Sequence, residues 1–209
     1  MAATVPAGVT SVRAAESGLV ELILSRPPRF GRTRLVAIDG PSGSGKTRLA
    51  ERLGARLSAP VVHTDDLLDG WADQFSFWPR LEEWVLEPLR HGRAASYLRY
   101  DWILGAFAGP PVRVEPADVV LLDGVSSARR AIRPELSAAV FVTAPPELRL
   151  ARAMVRDGGD DVAFRAYLER WRTAEDRHFA EEATAAYADL VIDGTMEDGE
   201  DYRLRRPPG

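Results

Sequence analysis

The chain has 209 residues, and its 27 lysine and arginine residues against 31 aspartate and glutamate residues produce a formal net charge of −4. This length favours one domain with a core of its own, and the charge excludes the strongly basic character of many nucleic-acid-binding proteins. The absence of cysteine excludes disulfides and thiolate chemistry. Because residues 1–20 do not resemble a signal peptide and no apolar run could cross a bilayer, we expect a cytoplasmic protein without nucleic-acid or membrane partners.

The first predicted elements surround a glycine-rich loop. An N-terminal extension, residues 1–30, contains a short predicted helix around residues 19–24. Residues 35–39 are apolar and are followed by a glycine, which predicts a buried strand. In residues 46–57 leucine recurs at every fourth position, which predicts a helix. Strand, loop and helix in this order begin the main domain, which we place at residues 31–194.

Later apolar runs predict the remaining strands of the sheet. They cover residues 61–65, 119–123, 139–143 and 190–192. Helices predicted over residues 146–157 and 161–187 separate the last two strands, and residues 195–209 are predicted to form a flexible tail. Continuous apolar strands that alternate with helices indicate a parallel sheet covered on both faces. The sequence therefore predicts a three-layer α/β/α protein with five parallel strands.

The loop after the first strand carries a complete phosphate-binding motif. Its sequence matches the P-loop pattern G-x-x-x-x-G-K-[ST] at every fixed position. The glycines allow backbone N–H groups to face inward, and together with the helix N-terminus these donors form an anion site. Lys46 is the chain's single lysine, and its compact ammonium can reach between phosphate oxygens. We therefore predict ATP or GTP binding by Gly40, Ser42, Gly43, Ser44, Gly45, Lys46 and Thr47.

Two residues are predicted to hold Mg²⁺ beside the nucleotide. Thr47 supplies a hydroxyl directly after the motif lysine, and Asp123 ends the third predicted strand next to the loop. Oxygen ligands of these two types hold Mg²⁺ in nucleotide-binding P-loop proteins. The alternative for Asp123 is a structural cap of the turn that follows.

A carboxylate pair at the end of the second strand suggests acid–base chemistry. Asp65 and Asp66 lie where ligands of doubly wound sheets bind, outside the carboxyl ends of the strands. A carboxylate there can accept the proton of an acceptor hydroxyl, and we assign this role to Asp65. Asp66 is assigned to the substrate side, and the alternative for either residue is a helix N-cap.

The aromatic-rich insertion that follows, residues 66–109, is the candidate acceptor-binding region. We predict helices in it around residues 81–89 and 94–107. Aromatic side chains provide a stacking face for a flat ligand, although most of them are expected to be core residues. Tyr100, Asp101 and Trp102 are the residues that we place nearest the acceptor.

Three arginines mark residues 146–180 as a lid and its following helix. Arg149, Arg152 and Arg156 are spaced by three and four residues and therefore share one helix face. Guanidinium groups can hold phosphate oxygens with two parallel hydrogen bonds. We assign Arg149 to the nucleotide, and Arg152 and Arg156 to catalysis together with Lys46. The alternative is a solvated basic stripe.

Over residues 34–194 the chain resembles the uridine kinase family of P-loop kinases. The likeness rests on the P-loop and on motifs at residues 65–68, 100–102, 122–124 and 149–157. The resemblance implies transfer of the γ-phosphate of ATP or GTP to the 5′-hydroxyl of uridine or cytidine. It also implies that Asp65 is the base and that Tyr100 and Trp102 line the base pocket.

The chain departs from the family in three places. Gly105 stands where the family has a base-reading histidine, Leu68 replaces a tyrosine, and residues 158–161 replace an Arg-Gly-Arg-Asp run. We therefore expect a small-molecule kinase whose first candidate acceptor is a nucleoside, with another small alcohol, such as a sugar, a pantothenate-like alcohol or an antibiotic, as the alternative. A regulatory nucleotide-binding ATPase is the alternative outside this class, and a homo-oligomer is compatible with each.

Overall fold

The computed structural model describes residues 12–157, 162–195 and 203–205. Within these residues, eight strands form two sheets. The strands are β1 (Arg34–Asp39), β2 (Val61–His63), β3 (Ala95–Asp101), β4 (Ala106–Val114), β5 (Val119–Asp123), β6 (Leu136–Thr143), β7 (Leu190–Asp193) and β8 (Arg203–Arg205). The larger sheet has the order β2-β5-β1-β6-β7-β8, and β3 pairs with β4 in the smaller one.

The five predicted parallel strands are all present and are β2, β5, β1, β6 and β7. A sixth strand, β8, pairs antiparallel with β7 and lies in the segment predicted as a flexible tail. The other residues of that tail, except Thr195, lie outside the described residues, as do residues 158–161. From β1 the chain passes to β2 on one side of the sheet, and after β5 it passes to β6 on the other side. This change of direction creates a crevice at the carboxyl ends of β1 and β5.

Helices cover both faces of this sheet. They are α1 (Val12–Ser25), α2 (Lys46–Leu57), α3 (Trp78–Leu81), α4 (Glu87–Arg90), α5 (Pro146–Asp157), α6 (Val162–Glu182) and α7 (Thr184–Tyr187). A π-helical turn, Glu82–Leu86, joins α3 to α4. In the part of the chain that the structure describes, no helix is both long enough and apolar enough to pass through a bilayer.

The alternation of side chains along β1 divides the core into two halves. Val36 and Ile38 pack with α1 and α2 on one face. Leu35 and Ala37 pack with the insertion on the other face. Because burial of each large aliphatic side chain contributes about 1.5–3 kcal/mol, both layers hold the central strand in place. The carboxyl end of β1 is therefore rigidly positioned at the crevice.

The helix predicted around residues 94–107 is wrong, because this segment forms the β3–β4 hairpin. Ala95 and Tyr97 are buried while Ser96 is exposed, which is the two-residue period of a strand. Asp101 closes the turn by accepting hydrogen bonds from the N–H groups of the two residues that follow Trp102. The predicted helix around residues 81–89 is confirmed by α3, the π-helical turn and α4.

Candidate active site

The predicted P-loop connects β1 directly to α2 and has close backbone contacts that only glycine permits. A Cβ atom on Gly40 would lie 2.1 Å from the carbonyl oxygen of Val142, and one on Gly43 would lie 2.5 Å from that of Arg149. Both glycines have positive φ angles, of 145° and 76°. The hydroxyl of Ser44 is fully buried and lacks a hydrogen-bond partner among the described residues. The loop therefore combines a fixed backbone with a free polar group, as an anion site requires.

Asp39, the last residue of β1, ties this loop to the segment after β5. Its carboxylate accepts hydrogen bonds from the backbone N–H groups of Gly40 at 2.7 Å, Ser126 at 3.0 Å and Ala128 at 2.9 Å. Burial raises the pKa of Asp39 to about 7. Sequence reasoning did not select this residue, although a carboxylate at the end of a buried strand was the available signal.

Lys46 and Thr47 begin α2 and have opposite environments. Lys46 is 6% exposed, and its positive charge favours the ionised forms of the Asp39 and Glu175 carboxylates. Thr47 is exposed at the mouth of the loop. The lysine is therefore held among buried groups, whereas the threonine hydroxyl is accessible to a ligand.

Asp123, the last residue of β5, keeps one of its two carboxylate oxygens free of hydrogen bonds to the described residues. It lies opposite Ile38 of β1 and His63 of β2 in the strand register. His63 Nδ1 donates to Asp123 Oδ2 at 2.9 Å, and this hydrogen bond raises the pKa of His63. Asp123 Oδ1 is buried and has no hydrogen-bond partner within the described residues. A buried, unpartnered carboxylate oxygen suits a hard cation, so Asp123 and Thr47 are chemically suited to hold Mg²⁺.

The two carboxylates after β2, Asp65 and Asp66, have different environments. Asp65 is exposed, and its carboxylate forms no hydrogen bond or ion pair with the residues that the structure describes. Asp66 pairs with Arg99 at 3.0 Å and accepts a hydrogen bond from the Tyr97 hydroxyl at 3.4 Å. Burial raises the pKa of Asp66. Asp66 therefore anchors the hairpin to the turn after β2, and Asp65 is available to a ligand.

The three predicted arginines have different surroundings along α5. Arg149 is 5% exposed, and its Nε and Nη1 atoms lack hydrogen-bond partners among the described residues. Arg152 Nη1 donates to the carbonyl oxygens of Gly43 at 3.2 Å and Gly194 at 2.8 Å. Arg156 is exposed further along the helix. Arg149 thus has free donors next to the P-loop, whereas Arg152 supports the loop backbone.

Sequence reasoning did not select Glu175, which contacts the P-loop from α6. Its side chain is completely buried, and both carboxylate oxygens accept from the Ser42 N–H at 3.1 Å. The Ser42 hydroxyl and Trp171 Nε1 also donate to it, the latter at 2.9 Å. Arg149 Nη1 is 3.8 Å away, and burial raises the pKa of Glu175. No motif in the sequence connects α6 to the loop.

The predicted acceptor residues belong to an aromatic cluster between the hairpin and α6. Trp102 lies 4.6 Å from Trp71 and 5.0 Å from Tyr100 between ring centroids, and Trp71 lies 5.6 Å from Trp171. A cavity of about 500 Å³ adjoins the cluster and is lined by Trp71 and Trp171, among others. Asp101, by contrast, uses its side chain within the hairpin turn.

Gly194, directly after β7, is a third residue that sequence reasoning missed. A Cβ atom there would lie 1.9 Å from the carbonyl oxygen of Ser44. We expect Gly194→Ala to lower the free energy of unfolding by about 1–3 kcal/mol and to weaken nucleotide binding, because the loop must shift. Denaturant unfolding and ATP titration measure both effects.

Gly18→Ala is the matched control, because a Cβ atom at this helical position meets nothing within 4 Å. It is expected to leave ATP binding unchanged and to stabilise the protein by about 0.5–1 kcal/mol. An unfolding curve of Gly194→Ala that matches that of the wild type would contradict the tight packing of the loop against β7.

Two solved structures of similar proteins share this fold. One is described as a possible uridine kinase from Bacillus stearothermophilus and has a TM-score of 0.62 at 22% identity, covering 86% of this chain and 97% of that one. The other, from Silicibacter sp. TM1040, is described as a candidate fructose transport system kinase. Its TM-score is 0.64 at 22% identity, covering 83% of this chain and 95% of that one.

No family model and no curated protein matches the chain. At 22% identity, the likeness to the two structures is evidence of fold. It confirms the predicted α/β fold with a five-stranded parallel sheet and flanking helices. The chain therefore shares its three-layer architecture with these two structures.

Proposed function

We propose that this protein is an ATP-dependent kinase that transfers the γ-phosphoryl group to a hydroxyl of a small molecule. The observation that carries this proposal is the state of two carboxylates, Asp123 at the end of β5 and Asp65 in the turn after β2. Asp123 has a buried, unpartnered oxygen, and Asp65 is exposed and unpaired among the described residues. A metal ligand and a general base beside a P-loop are the groups that phosphoryl transfer to an alcohol needs.

In the proposed reaction the P-loop N–H groups and Lys46 hold the phosphates of ATP. Mg²⁺, held by Thr47 and Asp123, would neutralise charge on the phosphate oxygens. Asp65 accepts the proton of the acceptor hydroxyl while the hydroxyl oxygen forms a bond to the γ-phosphorus. The bond from that phosphorus to the bridging oxygen breaks, and ADP leaves with the bonding electrons. Arg149 supplies free donors for the phosphate oxygens.

A nucleoside such as uridine or cytidine is the first candidate acceptor. The aromatic cluster that contains Tyr100 and Trp102 supports this choice, because aromatic faces stack on a flat base. The cavity of about 500 Å³ beside this cluster lies in the size range of small-molecule sites, although Trp71 and Trp171 line it and Tyr100 and Trp102 do not. The structural neighbour described as a possible uridine kinase supports the same class.

Another small alcohol is the second candidate, and the tip of the hairpin favours it. The tip contains Ile103, which is 96% exposed, and Gly105, whose φ angle is 66°. Neither offers a polar side chain that could read the edge of a pyrimidine. A sugar, a pantothenate-like alcohol or an antibiotic would not require such a reader.

A screen of alcohols with γ-labelled ATP and GTP tests the proposal. Label transfer to uridine or cytidine with a high kcat/KM would support the nucleoside assignment, and transfer only to another alcohol would support the second candidate. Failure of every acceptor class, with ATP still bound, would contradict the kinase assignment and favour a regulatory ATPase. Parallel titrations without acceptor measure ATP and GTP affinity and separate nucleotide preference from acceptor choice.

A further inference from the structure

We propose that Glu175 is an internal competitor of the nucleotide: its carboxylate occupies donors of the P-loop, and α6 must withdraw it before the loop can hold phosphate. This inference rests on the nucleotide-binding half of the proposed function and is independent of the acceptor. It makes Glu175 a determinant of ATP affinity.

The first argument is that Glu175 occupies a phosphate donor. In a P-loop, backbone N–H groups are the cradle for phosphate oxygens. The Ser42 N–H points at both oxygens of Glu175, each 3.1 Å away, and the Ser42 hydroxyl donates to the same carboxylate. One N–H cannot fully satisfy a carboxylate and a phosphate at once, and the two anions would repel each other at this distance. Glu175 and a bound phosphate therefore exclude each other at Ser42.

The second argument is that the surrounding cations suit either anion. The positive charge of Lys46, at the start of α2, favours the ionised form of the Glu175 carboxylate. Arg149, on α5, places its Nη1 atom 3.8 Å from the same carboxylate. Arg149 keeps two nitrogen atoms without a hydrogen bond in the described part of the chain, although its side chain is buried. The ion pair between Arg149 and Glu175 therefore leaves guanidinium donors available for an anion that accepts hydrogen bonds better than Glu175 does. A phosphate, with more acceptor oxygens and more charge, is such an anion.

The third argument is that α6 contacts both the P-loop, through Glu175, and the proposed acceptor region, through Trp171. Trp171 lies one helical turn before Glu175, and its Nε1 donates to the carboxylate at 2.9 Å and to the Ser42 hydroxyl at 3.3 Å. Its ring also packs edge-on against Trp71 of the insertion, 5.6 Å between centroids. Displacement of Glu175 by a nucleotide therefore also disturbs the aromatic cluster at the proposed acceptor site.

The test measures the Kd of ATP without any acceptor. Glu175→Gln keeps the size of the side chain and removes its charge, and we expect it to tighten ATP binding by about tenfold or more. Asp176→Asn is the matched control: its carboxylate also lies 3.8 Å from Arg149, but the side chain is 66% exposed. It removes the same charge outside the loop, and we expect its Kd to change by less than about threefold.

Trp171→Phe is the second variant, and it tests the inference independently if Glu175→Gln does not fold. It keeps the carboxylate but removes the indole donor that holds it at Ser42, so ATP binding should again tighten. Unchanged or weaker ATP binding in the folded variants overturns the inference, as does equal tightening in Asp176→Asn. Tighter binding without phosphoryl transfer to any acceptor supports the inference and contradicts the proposed kinase. Absence of ATP binding in the wild type and every variant overturns both.

Discussion

Asp65→Asn is expected to lower kcat for phosphoryl transfer by about 10²- to 10⁴-fold, the usual contribution of a general base. Asparagine has the size of aspartate but cannot take the proton of the acceptor hydroxyl. Asp65 is exposed, and its carboxylate forms no hydrogen bond or ion pair with the described residues, so its replacement should not disturb the fold. The Kd of ATP should stay unchanged, since Asp65 is not part of the P-loop. Steady-state kinetics and an ATP titration together measure both quantities.

Asp69→Asn is the matched control for this experiment. Asp69 lies on the same segment after β2, its side chain is 60% exposed, and its ion pair with Arg80 is long, at 4.0 Å. We expect a kcat close to that of the wild type, because exposed ion pairs contribute little. Equal losses in the two variants would indicate a general effect of charge, and an unaffected kcat in Asp65→Asn would exclude Asp65 as the base.

Lys46→Met is expected to lower kcat/KM by about 10²- to 10³-fold, as the loss of one group that stabilises transition-state charge usually does. Lys46→Arg should restore little of this loss. The lysine side chain is 6% exposed among buried groups, and the planar guanidinium is larger and directs its donors differently. Single-turnover kinetics and ATP titrations of both variants measure the effect on chemistry and on binding.

The control on the same helix is Arg56→Lys, at the far end of α2. Arg56 forms an ion pair with Glu16 at 3.2 Å and donates to the Ser17 hydroxyl at 2.9 Å, away from the loop. Its exchange is expected to leave ATP binding and kcat unchanged. Wild-type kinetics in Lys46→Arg would show that any cation suffices in the loop and would remove the argument for a compact ammonium.

Local patterns in the sequence predicted the parts of the fold that depend on neighbours in the chain. Each parallel strand contains a short apolar run, and the P-loop motif follows the first of them directly. The segment around residues 94–107 was predicted incorrectly because its aromatic and apolar residues fit either period. Its pairing with residues as far away as Val114 decided in favour of a hairpin. Such pairing depends on distant partners, which a local pattern does not contain.

A few consecutive residues were enough to predict a phosphate-binding motif around Lys46 and the fold class, because the motif and the apolar strands are each local patterns. Only the tertiary structure separated Asp65, which is free, from Asp66, which is bound to Arg99. It also brought Glu175 to Ser42 across 133 positions of the chain. The physical reason is that hydrogen bonding and burial of a side chain depend on which elements pack around it. That packing is a property of the whole sheet and its helices.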